Sequence, residues 1–105
     1  MIQCRRATIE DLKSLVDCNR AIARETEGIE LSEATLSDGV SALLEDDNKG
    51  MYWVATRQDQ VIGQILVTYE WSDWRNGQMW WIQSVYVSPD ARRQGVFKAL
   101  LDHVT

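Results

Sequence analysis

The sequence predicts an α+β fold, strands packed against helices, and three observations carry that reading. Leu12, Leu15, Val16, Asn19 and Ala23 fall at helical spacing across residues 9–25. Met51–Arg57, Val61–Trp71 and Met79–Val87 are runs rich in β-branched and aromatic residues, the composition of strands. A basic turn containing a glycine, Arg92-Arg93-Gln94-Gly95, separates the last of these strands from a final apolar helix. The 105 residues are enough for one core, so a single domain over 1–105 is expected.

Taken in order, Ile2–Arg6 reads as a first strand. Thr8 is a suitable N-cap, and Asp11 three residues later approximates a capping box, which opens the helix over 9–25. A loop with Gly28 follows. A second helix starts at Glu33 or Thr35 and runs to Glu45, with Leu36, Val40, Leu43 and Leu44 on its apolar face; Asp46-Asp47-Asn48-Lys49-Gly50 stops it. Gln58-Asp59-Gln60 is the hairpin turn between the next two strands. Gly63 inside the second of these marks a bulge or a close backbone approach. Ser72–Gln78 reads as a polar loop before the strand Met79–Val87. Pro89 ends that strand because it has no N–H for the ladder, and the last helix begins near Val96.

Composition excludes several classes. The net charge is −5, without the basic face of a nucleic-acid binder. No apolar run reaches the length of a membrane span, and no signal-peptide pattern opens the chain. Cys4 and Cys18 are unclustered and His103 is the only histidine, so no structural metal site is expected; two such thiols suit a reducing cytoplasm. Glu25, Glu27, Glu30, Glu33, Asp38, Glu45, Asp46 and Asp47 form an acidic window, either a solvated helical face or a surface that attracts a cationic amine.

The segment from Val85 to Leu101 carries the chemistry. The first turn of a helix has free N–H groups and a partial positive charge, and a glycine before it lets a bulky anion approach the backbone. Arg92 and Arg93 add charges suited to phosphate geometry. A Walker-type loop and a Gly-x-Gly-x-x-Gly fingerprint are both absent. What remains is Arg92-x-x-Gly95-x-Phe97 after Val85-x-Val87-x-Pro89. This resembles motif A of the GNAT acyltransferase superfamily, Gln/Arg-x-x-Gly-x-Gly/Ala, with Phe97 where the family has a small residue. The element order is also that of the GNAT fold through its third helix, so the resemblance covers nearly the whole chain.

The resemblance implies a mixed sheet splayed between its fourth and fifth strands, with acyl-CoA in the gap. This chain would be truncated after the third helix, ending at Thr105 without the fifth strand. It implies acetyl-CoA as acyl donor, with no metal, and an amine of a small molecule or peptide as acceptor. The backbone of Val85, Tyr86 and Val87 would take the pantetheine arm like an added strand, and an N–H near Val85 would polarise the thioester oxygen. The turn Arg92, Arg93, Gln94, Gly95, Val96, Phe97 and Lys98 would hold the pyrophosphate. The family often carries a glutamate base on the fourth strand, which holds no carboxylate here; Glu70 and Asp73 are nearest in sequence. Glu70 is either a solvated strand-end residue or a base acting directly or through water. Trp71, Trp74, Trp80 and Trp81 are read mainly as core and loop packing, with one or two free to hold an amine by cation–π contact. The activity expected is N-acetyl transfer. The alternative is a non-catalytic CoA-binding or assembly half-domain, or an inactive fragment. An open fourth-strand edge would favour a homodimer.

Overall fold

A computed structural model describes residues 2–104. Its order is β1 (Gln3–Arg6), α1 (Leu12–Glu27), α2 (Glu33–Leu44), β2 (Met51–Arg57), β3 (Gln60–Ser72), β4 (Gly77–Val87) and α3 (Val96–Val104), with short 3₁₀ turns at Ile9–Asp11 and Pro89–Ala91. This is the expected α+β order. The expected chain end at Thr105 lies outside the described residues. The four strands form one sheet in the order β1-β2-β3-β4, antiparallel throughout.

Alternation along β2 explains the layers. Tyr52 and Val54 join Leu15, Val16, Val40 and Leu66 beneath α1 and α2. Trp53 and Ala55 join Ile65, Val67, Val96 and Leu100 beneath α3. Because β2 and β3 are central and covered on both sides, their middles read as continuous apolar runs.

The expected helix over 9–25 is two pieces. The Asp11 carboxylate accepts the Thr8 backbone N–H at 2.8 Å and a two-pronged pair from Arg5 at 2.7 and 2.9 Å, which holds the first turn tight. The Arg5 guanidinium holds Asp11 below the usual carboxylate range. α1 then continues to Glu27, where Gly28 and Ile29 N–H groups close its last carbonyls. The expected polar loop over 72–78 is shorter: β3 extends to Ser72 and β4 begins at Gly77. This part of the hairpin projects beyond the helices, so polar residues pair in the ladder with solvent on both faces. The tryptophans there are not core, which corrects the packing expectation. Trp74 is 96 % exposed, and Trp71, Trp80 and Trp81 are all about half exposed or more. Trp53 is the buried tryptophan.

Gly63 is a close backbone approach beside a bulge. Ala55 pairs with Gly63 but Thr56 with Val61, so Ile62 is the extra residue. A Cβ at Gly63 would meet Val96 Cγ1 at 2.9 Å and the Tyr86 carbonyl oxygen at 3.0 Å. Neither the β-branched valine nor the strand carbonyl yields easily. Gly63→Ala should therefore lower unfolding stability by about 1–3 kcal/mol, the usual scale of overpacking. Urea denaturation would read this, and an unchanged midpoint would show that α3 stands off the sheet.

Candidate functional site

β4 ends where the Ser88 N–H donates to the Ile62 carbonyl at 2.8 Å. Pro89–Ala91 makes one tight turn, and Ala91 is fully buried as its plug. The chain then passes through two left-handed residues, Arg93 at φ 67° and Gly95 at φ 82°. A left-handed arginine is uncommon, so the turn is held from outside. Gln94 does this: its side-chain oxygen accepts from Arg57 and its nitrogen donates to the Asp90 carbonyl at 3.1 Å.

The first helical bond of α3 runs from Ala99 N–H to the Gly95 carbonyl at 2.9 Å. The N–H groups of Val96, Phe97 and Lys98 therefore precede any helical acceptor. A Cβ built on Gly95 meets nothing within 4 Å, so the space beside the turn is open. Arg93 is exposed and has no ion pair among the described residues, while Lys98 is paired with Asp102 at 2.8 Å. An open backbone concavity, free helix N–H groups and a nearby cation fit a phosphate-bearing group.

Arg92 lies differently from its neighbours. Its Nε donates to the Val87 carbonyl at 2.9 Å, its Nη2 to Glu25 at 2.7 Å, and its guanidinium stacks 5.5 Å from the Tyr86 ring centre. The Tyr86 hydroxyl donates to the other Glu25 oxygen at 3.1 Å. The Arg92 bond, and less so that of Tyr86, holds the Glu25 carboxyl below its ordinary range. Burial, and then Glu25, pushes the Tyr86 hydroxyl up. Together with Ile22, Thr26, Val85 and Val87 these residues line a cleft of about 350 Å³ between the end of α1 and the end of β4. Sequence reasoning placed Glu25 only in the acidic window. Its partner lies 67 residues away, and no local spacing signals that pairing.

β4 is the last strand of the sheet, so alternate backbone groups along its outer side face no strand among the described residues. Its register slips at Gln83: Leu66 pairs with Ser84 but Val67 with Ile82. The Thr68 hydroxyl donates to the Gln83 side chain at 3.3 Å. Beneath this strand Gln64 is fully buried with its side-chain oxygen unpartnered, and its nitrogen reaches Ser84 only at 3.5 Å.

Glu70 is not beside Val85–Val87. Val85 pairs with Ile65, five residues earlier on β3, which is roughly 17 Å of strand. Glu70 is exposed and lines a hollow of about 400 Å³ with Thr68, Trp81, Ile82 and Gln83. Asp73 sits in the hairpin turn beyond it. Burial pushes the Cys18 thiol up to about 11, which removes it as a nucleophile at neutral pH. Among the described residues no cluster of His, Cys, Asp and Glu could hold a metal ion, and no helix is long and apolar enough to cross a membrane.

A strand ending in a tight turn, followed by a glycine-led helix N-terminus, leaves backbone N–H groups free beside open space at a sheet edge. The family model for the acetyltransferase (GNAT) family matches residues 12–105, and the chain belongs to that family. The fold is similar to that of a possible acetyltransferase from Clostridium difficile 630: 49 % identity, TM-score 0.92, covering 99 % of this chain and 68 % of that one. An integron cassette protein from the mobile metagenome of Cole Harbour Salt Marsh is 27 % identical, with TM-score 0.90, covering 97 % of this chain and 66 % of that one. A predicted acetyltransferase from Clostridium acetobutylicum, solved with acetyl-CoA, shares the fold at 24 % identity and TM-score 0.77, covering 99 % and 71 %. The chain thus spans about two-thirds of the length of these proteins. No curated protein matches the sequence.

Proposed function

We propose that this chain is an N-acetyltransferase that moves the acetyl group of acetyl-CoA to an amine of a small molecule or peptide. The observation that carries the reading is the left-handed turn Arg93–Gly95, which opens the first N–H groups of α3 onto free space directly after an edge strand. The acetyl-CoA in the Clostridium acetobutylicum protein of the same fold supports it. The backbone of Arg93, Gln94, Gly95, Val96, Phe97 and Lys98 would donate to the pyrophosphate, with the Arg93 side chain alongside. The outer edge of β4 at Val85, Tyr86 and Val87 would pair with the pantetheine amides as a strand does. When bound, acetyl-CoA supplies a thioester open to attack by an amine. A β4 N–H near Val85 would stabilise charge on its oxygen. Glu70, roughly 17 Å of strand away, lies out of reach of an amine proton there, which corrects the expectation that it is the base. Free Cys4 and Cys18 fit a cytoplasmic setting.

A second reading rests on the exposed Trp80, Trp81 and Ile82 of β4. A CoA-binding or assembly module would use that open edge to pair with a second copy. Light scattering at micromolar concentration should then show a homodimer with little acetyl transfer; a monomer that turns over would dismiss this reading.

Replacing Gly95 by valine tests the donor site. Its φ of 82° is costly for a branched residue, and the added methyls would enter the open space of the turn. Calorimetry should show CoA binding weakened by tenfold or more, on the order of 1–3 kcal/mol of strain. Equal affinity would remove the pyrophosphate from this turn. For Glu70, thiol release from acetyl-CoA would be measured with the fastest amine from a panel of mono- and diamines. Glu70→Gln should leave kcat and the pH–rate profile unchanged, because Glu70 stands opposite Met79 and away from Val85. A loss of about tenfold in kcat that shrinks as pH rises would instead restore Glu70 as the base and move the acyl site along β4.

A further inference from the structure

Three cations stand near the α3 N-terminus, and the structure uses them unequally. Lys98 is held by Asp102 one turn along its own helix, and Arg93 has no carboxylate partner among the described residues. Arg92 is drawn away from the turn by Glu25, which arrives from the far end of α1. Both side chains of this pair remain open to solvent and ligand, at 44 % and 41 % exposure. An exposed ion pair is weakly held. A pyrophosphate offers more charge and a two-pronged acceptor that suits a guanidinium. Arg92 lies three residues before Gly95, on the turn itself.

We propose that Glu25 is a donor-sensing latch: it holds Arg92 over the end of β4 in the free protein and surrenders it to the donor's pyrophosphate. The inference rests on the reading of residues 93–98 as the donor site. Glu25 is a positioning residue here, acting through Arg92. The latch ties the end of α1 to the end of β4, because Arg92 also caps the Val87 carbonyl and Glu25 also receives the Tyr86 hydroxyl. The donor must compete with the Glu25 carboxylate for this cation. Glu25 therefore lowers donor affinity, although it lies in the cleft and on the wall of the site.

That sign separates a latch from a scaffold. If Glu25 merely supported the site, its loss would weaken the donor. If it withholds Arg92, its loss tightens the donor, and only while Arg92 is present. The test is calorimetric titration of the full chain with CoA in four forms: wild type, Glu25→Gln, Arg92→Gln and the double variant. Glu25→Gln should bind CoA about two- to fivefold tighter, the factor an exposed ion pair carries. Arg92→Gln should bind more weakly, and adding Glu25→Gln to it should change nothing further. Should Glu25→Gln fail to fold, Glu25→Asp, which draws the carboxylate back by one methylene, should tighten binding in the same direction. Unchanged or weaker binding by Glu25→Gln, or an equal effect of that change without Arg92, would overturn the latch and leave the donor site standing. A wild-type chain that does not bind CoA would overturn the donor site itself, and the latch with it.

Discussion

Position 63 has room for a hydrogen and little more, and the geometry of the candidate site hangs on that. Gly63 pairs with Val87, the last residue of β4, and its bare Cα faces Val96, the first residue of α3. The two ends of the segment 88–95 are therefore pinned at one point of β3. Between those pins the chain must reverse within eight residues. It does so with a 3₁₀ turn, a buried Ala91 and the left-handed pair Arg93 and Gly95. A larger side chain at 63 would lift α3 and tilt its free N–H groups away from the edge of β4. Packing in the core is thus what aims the backbone donors at the surface.

Charge placement around that turn is less simple than the run Arg92-Arg93 suggests. Arg92 supports the wall of the cleft, stacked on Tyr86 and bonded to Val87 and Glu25. The acidity of the chain is similarly used up in part: Arg24 takes Glu30 at 2.9 Å, and Arg20 lies 3.5 Å from Glu33. With Lys49 on Asp46 and Arg6 on Asp47, these pairs make much of the acidic window a salt-bridged surface. Glu25 and Asp47 are the members of it that reach the sheet, Glu25 at Tyr86 of β4 and Asp47 at Arg6 of β1.

Much of the fold was legible because its signals are local. The helical spacing of Leu12, Leu15 and Val16, the β-branched middle of β3 and the stop at Pro89 each act over a few residues. Gly63 was legible as a close approach, though its neighbours Val96 and Tyr86 were not. The motif turn could be read for the same reason, since strand, glycine and helix are contiguous. Long-range geometry was hidden. The Glu25–Arg92 pair spans 67 residues. The exposure of Trp71, Trp80 and Trp81 depends on the hairpin projecting past both helical layers, which composition does not show. Glu70 stands out in the sequence because it and Asp73 are the carboxylates that most closely precede the fourth strand. Antiparallel pairing instead sets it opposite Met79, near the far end of the hairpin.

The central claim is that the turn from Arg93 to Lys98 and the outer edge of β4 together hold the acyl donor. Amide NMR during a CoA titration tests it most directly, because each N–H reports its own contact. The account predicts the largest shifts at residues 93–98 and a second group at Val85, Tyr86 and Val87, with the hairpin tip at 73–76 unmoved. Shifts gathered at the hairpin tip or along the α1–α2 face, with 93–98 silent, would contradict it.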